Sequence, residues 1–166
     1  MAAHAAPVPE RRDRTIGWSD ALDAATYWAG ISAAYVSYGF LWFYSAKEKL
    51  FDQSGTMPAG LAKAYHGTVI DNFPGINASW LLLGLLEAVA FLVVVASLVS
   101  GEFMPTRRKP ILLAGLTVSM FTFAVMTFGQ NLIGNFEGVA SLFTYMGVTG
   151  VVYAVIRYWL PSRSTS

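Results

Sequence analysis

Residues 79–95 read SWLLLGLLEAVAFLVVV, a nearly continuous apolar run with one carboxylate, Glu87, at its middle. The run lies within a longer apolar segment, residues 76–98. A helix needs about 20 mainly apolar residues to cross a hydrocarbon core ~30 Å thick. Because lipid offers the backbone no hydrogen-bond partners, a segment that crosses it must be helical. The segment therefore predicts a membrane-spanning helix with a buried acid.

Four segments of the chain meet this requirement of length and apolar character. They are residues 24–46, 76–98, 111–129 and 138–160, and the first is the most polar, with several tyrosines and serines. Hydrophobic residues make up 55% of the chain and charged residues 13%, about half the charged share of a soluble domain. The sequence predicts an all-α fold, an integral membrane four-helix bundle formed by residues 21–160.

The basic residues predict the direction of the four spans. Eight of the eleven Lys and Arg residues precede the first span, separate the second from the third, or lie at or beyond the end of the fourth. These are Arg11, Arg12, Arg14, Arg107, Arg108, Lys109, Arg157 and Arg163. Since basic residues concentrate on the cytoplasmic side, both termini are expected there, in a multi-pass protein of the plasma membrane. Residues 1–20 are expected to form a disordered cytoplasmic tail and residues 161–166 a short cytoplasmic tail.

Two connections lie on the opposite, outer side. The longest covers residues 47–75, where Thr56-Met57-Pro58 followed by AGLAKAYHGTVI predicts a short amphipathic helix that lies on the membrane surface. Residues 131–137 form a tight turn, so the third and fourth spans are expected to be antiparallel neighbours.

Glu87 is expected to face the interior of the bundle. An ionised side chain at the centre of a membrane helix costs about 2.5–3.5 kcal/mol on insertion scales, so such residues normally find a polar partner. The first span offers residues at the spacing of a packed helix face: Tyr35, Tyr38, Trp42, Ser45 and Lys49. We hypothesise that Glu87 packs on this face, with Lys47 or Lys49 reaching inward.

A buried glutamate of this kind has three possible roles. It can fix the register of the helices, bind a ligand or carry a proton, or make a contact with another protein. Gln130 and Asn131 can likewise end a helix at a turn, or face a small pocket that opens outward near Glu87. The intramembrane polar or ligand candidates are therefore Glu87, Lys47, Lys49, Tyr38, Ser45, Gln130 and Asn131.

The sequence lacks the residues that several kinds of binding and catalysis require. Cysteine is absent, which excludes disulfides, thiolate metal sites and thiol catalysis. The two histidines, His4 and His66, lie outside the spans, so no facing pair can hold a membrane haem. No phosphate-binding loop, dinucleotide fingerprint, metalloprotease motif or nucleic-acid motif is present. The sequence favours a protein without a self-contained catalytic site, a metal, a tightly bound cofactor or a nucleic-acid partner.

The arrangement resembles the DoxX-like family of small four-helix membrane proteins. The first span ends in Ala46-Lys47-Glu48-Lys49-Leu50, matching the Lys-Leu pair at the end of that family's first helix. Glu87 matches the glutamate within the second helix. Some members of the family are membrane subunits of thiosulfate:quinone oxidoreductase, and others accompany membrane assemblies that handle thiol or oxidative stress. The resemblance implies a quinone as the candidate cofactor.

The leading interpretation is a small integral membrane subunit of a redox-associated, quinone-linked complex, surrounded by lipid and by other membrane or membrane-associated subunits. Two alternatives stay open. One is a small transporter or proton-coupled pore that uses Glu87, and the other is an assembly or chaperone factor that holds other membrane proteins.

Overall fold

The computed structural model describes residues 18–160, which form helices and their connections with no strand among them. The α-helices are α1 Trp18–Lys47, α2 Ala59–Tyr65, α3 Val69–Asn72, α4 Ile76–Val99, α5 Pro110–Leu132 and α6 Phe136–Ala154. Two π-helical turns, π1 Glu48–Asp52 and π2 Val155–Trp159, continue α1 and α6 respectively.

Three of the helices are long and apolar enough to cross a membrane. They cover Ile76–Val99, Pro110–Leu132 and Phe136–Tyr158, and they indicate a multi-pass membrane protein. The fourth long helix, α1, has the length but not the apolar composition among the described residues. The structure thus confirms the all-α prediction. It contains three long apolar helices and a long N-terminal helix.

The helix α1 begins earlier than the sequence analysis expected. It starts at Trp18, so residues 18–20, which were assigned to the N-terminal tail, are helical instead. Helix formation there has a physical reason, since Asp20 in the first turn interacts favourably with the helix dipole. The remainder of that tail, residues 1–17, and the C-terminal tail, residues 161–166, lie outside the described residues.

The connection between π1 and α4 contains two short helices, α2 and α3, where one was expected. It folds against the bundle, because Met57 and Tyr65 are buried and the Met57 amide donates to Asn77 Oδ1 of α4 at 3.1 Å. Gly75 ends the connection with a φ of 102°, a value that favours glycine, and α4 begins at the next residue. Residues 57–74, which we call the cap segment, therefore cover one end of the bundle.

The long helices pack in chain order, α1 on α4, α4 on α5 and α5 on α6. A turn of only three residues, 133–135, joins α5 to α6, in agreement with the predicted neighbours. The buried core includes Ile31, Ala34, Tyr35, Tyr38, Trp42, Ala90, Val94, Leu112, Leu116, Phe123, Leu142 and Ile156. Five of these twelve come from α1, so the most polar helix also supplies the largest share of the core.

Candidate functional site

The inward face of α1 is held by hydrogen bonds to all three apolar helices. Each of three buried side chains on this face bonds to a hydroxyl group of a different helix, α4, α6 or α5. The pairs are Tyr35 with Ser97 at 2.7 Å, Tyr38 with Thr149 at 2.8 Å, and Trp42 with Ser119 at 2.7 Å. Because buried polar groups are costly only when they lack partners, these bonds allow the polar face of α1 to pack against the apolar helices.

The same face ends in an ion pair between Lys49 and Glu87. The Lys49 Nζ atom lies 3.0 Å from Glu87 Oε1, with the side chains 6% and 0% exposed. It also donates to Ser45 Oγ at 3.0 Å and lies 4.8 Å from the centre of the Trp80 ring. The structure therefore brings together Glu87, Lys49 and Ser45, three of the residues that the sequence singled out.

Gly84 makes this approach possible. It precedes Glu87 by three residues on α4, so it lies on the same face of the helix. A Cβ atom placed on Gly84 would lie 3.0 Å from Lys49 Cβ and 3.0 Å from Leu50 Cδ2, closer than ordinary packing allows. Because residue 84 has no side chain, π1 can pack closely against α4. This close packing places Lys49 beside Glu87.

The carboxylate of Glu87 forms an ion pair but has unused hydrogen-bond acceptor positions. Neither of its buried oxygens accepts a hydrogen bond of acceptable geometry from the described residues, although the ammonium is within ion-pair distance. A carboxylate has about four acceptor positions. The pair therefore balances charge while leaving most of the acceptor capacity of Glu87 unused.

Beside this pair lies a partly open cavity of about 530 Å³, bordered by π1, the cap segment, α4 and α5. We call it the capped cavity. Its apolar wall is formed by Met57, Leu61, Ile70, Pro74, Leu82, Leu83, Leu86, Val125, Met126 and Phe128, together with Gly129 and the ring of Trp80. Its polar side chains are Lys49, Tyr65, Ser79 and Gln130. A volume of 300–1,000 Å³ with few polar groups on an apolar wall is typical of sites for small organic ligands.

The polar groups of the capped cavity differ in how fully they are bonded. Ser79 Oγ is buried and has no hydrogen-bond partner among the described residues. Gln130 Oε1 accepts from Asn135 Nδ2 at 2.7 Å, which leaves the amide N–H groups of Gln130 as donors. Burial raises the pKa of Tyr65, so its hydroxyl keeps its proton. The cavity thus presents hydrogen-bond donors that other side chains have not used.

The remaining predicted candidates lie elsewhere. Lys47 pairs with Asp52 at 2.7 Å on an exposed surface, so it is not the lysine that reaches Glu87. Asn131 donates to the Thr127 carbonyl of its own helix at 3.0 Å and does not line the capped cavity, whereas its neighbour Gln130 does. Tyr38 lies in the core with Thr149. Whether any of these residues binds a ligand stays a prediction.

Asp71 makes polar contacts with neighbouring residues within the cap segment. This carboxylate accepts from the Gly67 amide at 2.9 Å and lies 3.3 Å from His66 Nδ1. The hydrogen bond from the Gly67 amide is the main cause that lowers the pKa of Asp71, and the contact with His66 lowers it further. His66 is exposed at this surface and does not line the capped cavity.

Glu102 is a buried acid that the sequence analysis did not single out. Its carboxylate accepts from the backbone amides of Ile111 and Leu112 at 2.9 and 2.8 Å, and from Ser97 Oγ at 2.7 Å. It therefore satisfies two of the free amides at the start of α5. The available signal was weak, since Glu102 precedes α5 by eight residues and lies outside the spacing of ordinary helix caps.

Comparison with known proteins gives no match. No family model, no curated protein and no solved structure is similar to this chain at a significant level. The description of the site therefore depends on the geometry of the chain itself. Within residues 18–160, no group of three or more His, Asp or Glu side chains is arranged to hold a metal ion.

Proposed function

We propose that this chain is a small multi-pass membrane subunit of a redox-associated complex, and that it holds a quinone in the capped cavity. The observation that carries the proposal is the cavity itself, with an apolar wall and polar groups that include Lys49 beside the buried Glu87. A quinone combines an apolar tail with carbonyl acceptors, which match this apolar wall and these donors.

The resemblance to the DoxX-like family supports the same proposal. The two features on which the resemblance depends, Lys49 at the end of the first long helix and Glu87 within the second, form the 3.0 Å pair beside the cavity. Among residues 18–160, no group of three or more His, Asp or Glu side chains is placed to hold a metal ion. A subunit that binds a carrier for a partner enzyme is consistent with these residues.

The proposal includes α1 as a fourth membrane crossing with both termini in the cytoplasm. Its support is the set of hydrogen bonds that satisfies the inward polar face of α1, together with the basic residues 107–109 between α4 and α5. The chain has no cysteine, so a single introduced cysteine can be labelled specifically. Ser54→Cys should react with an impermeant maleimide added outside intact cells, and Thr106→Cys should react only after lysis. Labelling of both before lysis would reject this topology.

Native mass spectrometry of the protein extracted gently from its own membranes tests the proposed function. We expect a bound mass equal to that of the host quinone, and a second complex that contains an oxidoreductase subunit. A protein that carries neither would reject the proposal. A partner without oxidoreductase activity, whose abundance falls when this chain is deleted, would favour the assembly-factor alternative instead.

A proton-coupled transporter is the second candidate function. It is favoured by the buried oxygens of Glu87, which receive no well-formed hydrogen bond from the described residues and can therefore accept a proton. This candidate predicts proton-driven solute flux in proteoliposomes that is lost in Glu87→Gln. Flux that persists in the variant, or none in the wild type, would exclude it.

A further inference from the structure

We infer that the capped cavity selects an uncharged head group that bears carbonyl oxygens, and that Glu87 sets this selection by cancelling the charge of Lys49. The inference deepens the proposed function and rests on it for the position of the site. It goes further by specifying the charge of the ligand and the residue that controls it.

Several hydrogen-bond donors of the capped cavity are not taken up by protein acceptors. Lys49 has three N–H donors, of which one is donated to Ser45, while Glu87 lies within ion-pair distance without a well-formed hydrogen bond. Ser79 contributes an unpartnered hydroxyl, and Gln130 contributes the amide N–H groups that Asn135 leaves free. Among the described residues, no Asp or Glu side chain lines the cavity. The wall therefore favours a ligand rich in hydrogen-bond acceptors.

The charge of the cavity wall comes from one side chain. Lys49 is the one charged side chain that lines the cavity in the described part of the chain, and its Nζ atom lies 3.0 Å from Glu87 Oε1. An anionic head group would compete with Glu87 for the ammonium of Lys49. A cationic head group would be repelled by that ammonium and would find no carboxylate in the cavity wall to pair with. A neutral carbonyl group avoids both costs and still accepts a hydrogen bond. Quinones and carboxylic esters share this chemistry.

The cavity is open beside two large apolar side chains. Leu82 of α4 and Phe128 of α5 both line the cavity and are 56% and 55% exposed. The cavity thus opens between the apolar sides of α4 and α5. In a membrane this opening faces the lipid, so a ligand with an apolar tail can enter sideways from the bilayer.

Thermal unfolding of the purified protein in lipid nanodiscs tests the inference with four probes of equal tail length. Decylubiquinone and methyl undecanoate are neutral and carry carbonyl oxygens, decanesulfonate is an anion, and decyltrimethylammonium is a cation. The matched control is Ser79→Leu, which removes the free hydroxyl and adds a bulky side chain to the lining of the cavity. The neutral probes should raise the unfolding temperature of the wild type but not of Ser79→Leu, and their apparent affinity should exceed that of either charged probe at least about tenfold.

The outcomes separate the inference from the proposed function. Stabilisation by methyl undecanoate but not by decylubiquinone would leave the inference standing and reject quinone binding. Stabilisation by decanesulfonate or decyltrimethylammonium equal to that by the neutral probes would overturn the inference while leaving the binding site in place. No stabilisation by any probe, or equal stabilisation of Ser79→Leu, would overturn both.

Glu87→Gln supplies a second test of the controlling residue. This variant removes the charge that balances Lys49 and keeps a side chain of similar size. We expect its preference to change toward decanesulfonate, with an affinity gain of about tenfold or more over the wild type. An unchanged preference in a folded variant would overturn the role of Glu87, and if the variant does not fold, the wild-type selectivity among the four probes decides.

Discussion

The ammonium of Lys49 lies 3.0 Å from Glu87 Oε1, and the two side chains are 6% and 0% exposed. The two residues come from different helical segments, π1 and α4, and are separated by the whole cap segment. Their contact therefore ties the end of α1 to the middle of α4 and fixes one wall of the capped cavity. The stability of the bundle and the identity of its ligand should both depend on this pair.

Lys49→Met should destabilise the protein by about 3–5 kcal/mol, because it leaves the buried carboxylate of Glu87 without a cation. The double variant Lys49→Met with Glu87→Leu should recover most of this loss, since no buried charge remains. Reversible unfolding in detergent micelles provides the measurement. The control is Lys47→Met, which removes an exposed pair with Asp52 and should cost only about 0–1 kcal/mol. Equal losses for Lys49→Met and Lys47→Met would contradict the buried pair.

Gly84→Ala should destabilise the protein by about 1–3 kcal/mol, because the added methyl group would lie 3.0 Å from Lys49 Cβ and force π1 away from α4. Gly147→Ala on α6 is the matched control, since a Cβ atom there meets nothing within 4 Å. The control should leave the free energy of unfolding unchanged or slightly higher. The same unfolding assay compares the two, and equal effects would show that π1 does not press on α4.

Glu102→Ala should loosen the start of α5, because the backbone amides of Ile111 and Leu112 lose the carboxylate that they share. A buried donor left without its acceptor costs about 1–3 kcal/mol. Hydrogen–deuterium exchange should accelerate at these two amides and much less in the middle of the helix. Glu137→Ala, an exposed acid in the first turn of α6, is the control and should leave α5 unaffected. Unchanged exchange in Glu102→Ala would exclude the capping role.

The cap segment should open in acid. The pKa of Asp71 is lowered in the folded protein, chiefly by the Gly67 amide, so the ionised form stabilises the segment. That contribution is complete above the ordinary pKa of an aspartate, and it is lost as the pH falls through the lowered folded value. Limited proteolysis within residues 57–74 should therefore increase below about pH 4. The Asp71→Asn variant should be cleaved faster than the wild type at neutral pH, and its cleavage should depend less on pH. If the variant shows the same increase in cleavage in acid as the wild type, a group other than Asp71 is responsible.

The sequence predicted the elements of this fold better than their assembly. Apolar runs identify α4, α5 and α6 because burial in lipid demands that composition along the whole helix. The spacing of Tyr35, Tyr38, Trp42, Ser45 and Lys49 identified the inward face of α1, since a packed helix presents residues at intervals of three and four. Length and periodicity are local properties, and a sequence displays them directly.

A small pocket near Gln130 and Glu87 was one of the alternatives that the sequence left open, but the part of the cap segment in it and the role of Glu102 were not predicted, because they depend on segments that meet only after folding. Periodicity indicated a short amphipathic helix in the cap segment, but not that Met57 and Tyr65 turn inward and border a space against α4 and α5. Glu102 accepts from backbone amides nine and ten residues further along the chain. The choice between Lys47 and Lys49 was also open in the sequence, and it is decided by the close approach at Gly84.

Photolabelling with a light-activated azidoquinone, followed by mass spectrometry of the labelled peptides, shows where a quinone binds on the protein. We expect labels on the cap segment and on the walls formed by α4 and α5, within residues 61–70, 82–86 and 125–130, and excess decylubiquinone should prevent them. Another cavity of the described residues, lined by side chains that include Asp20, Asp23 and Trp28, should stay unlabelled. Labels spread evenly over the outer surface of the bundle, or concentrated at that other cavity, would contradict quinone binding in the capped cavity.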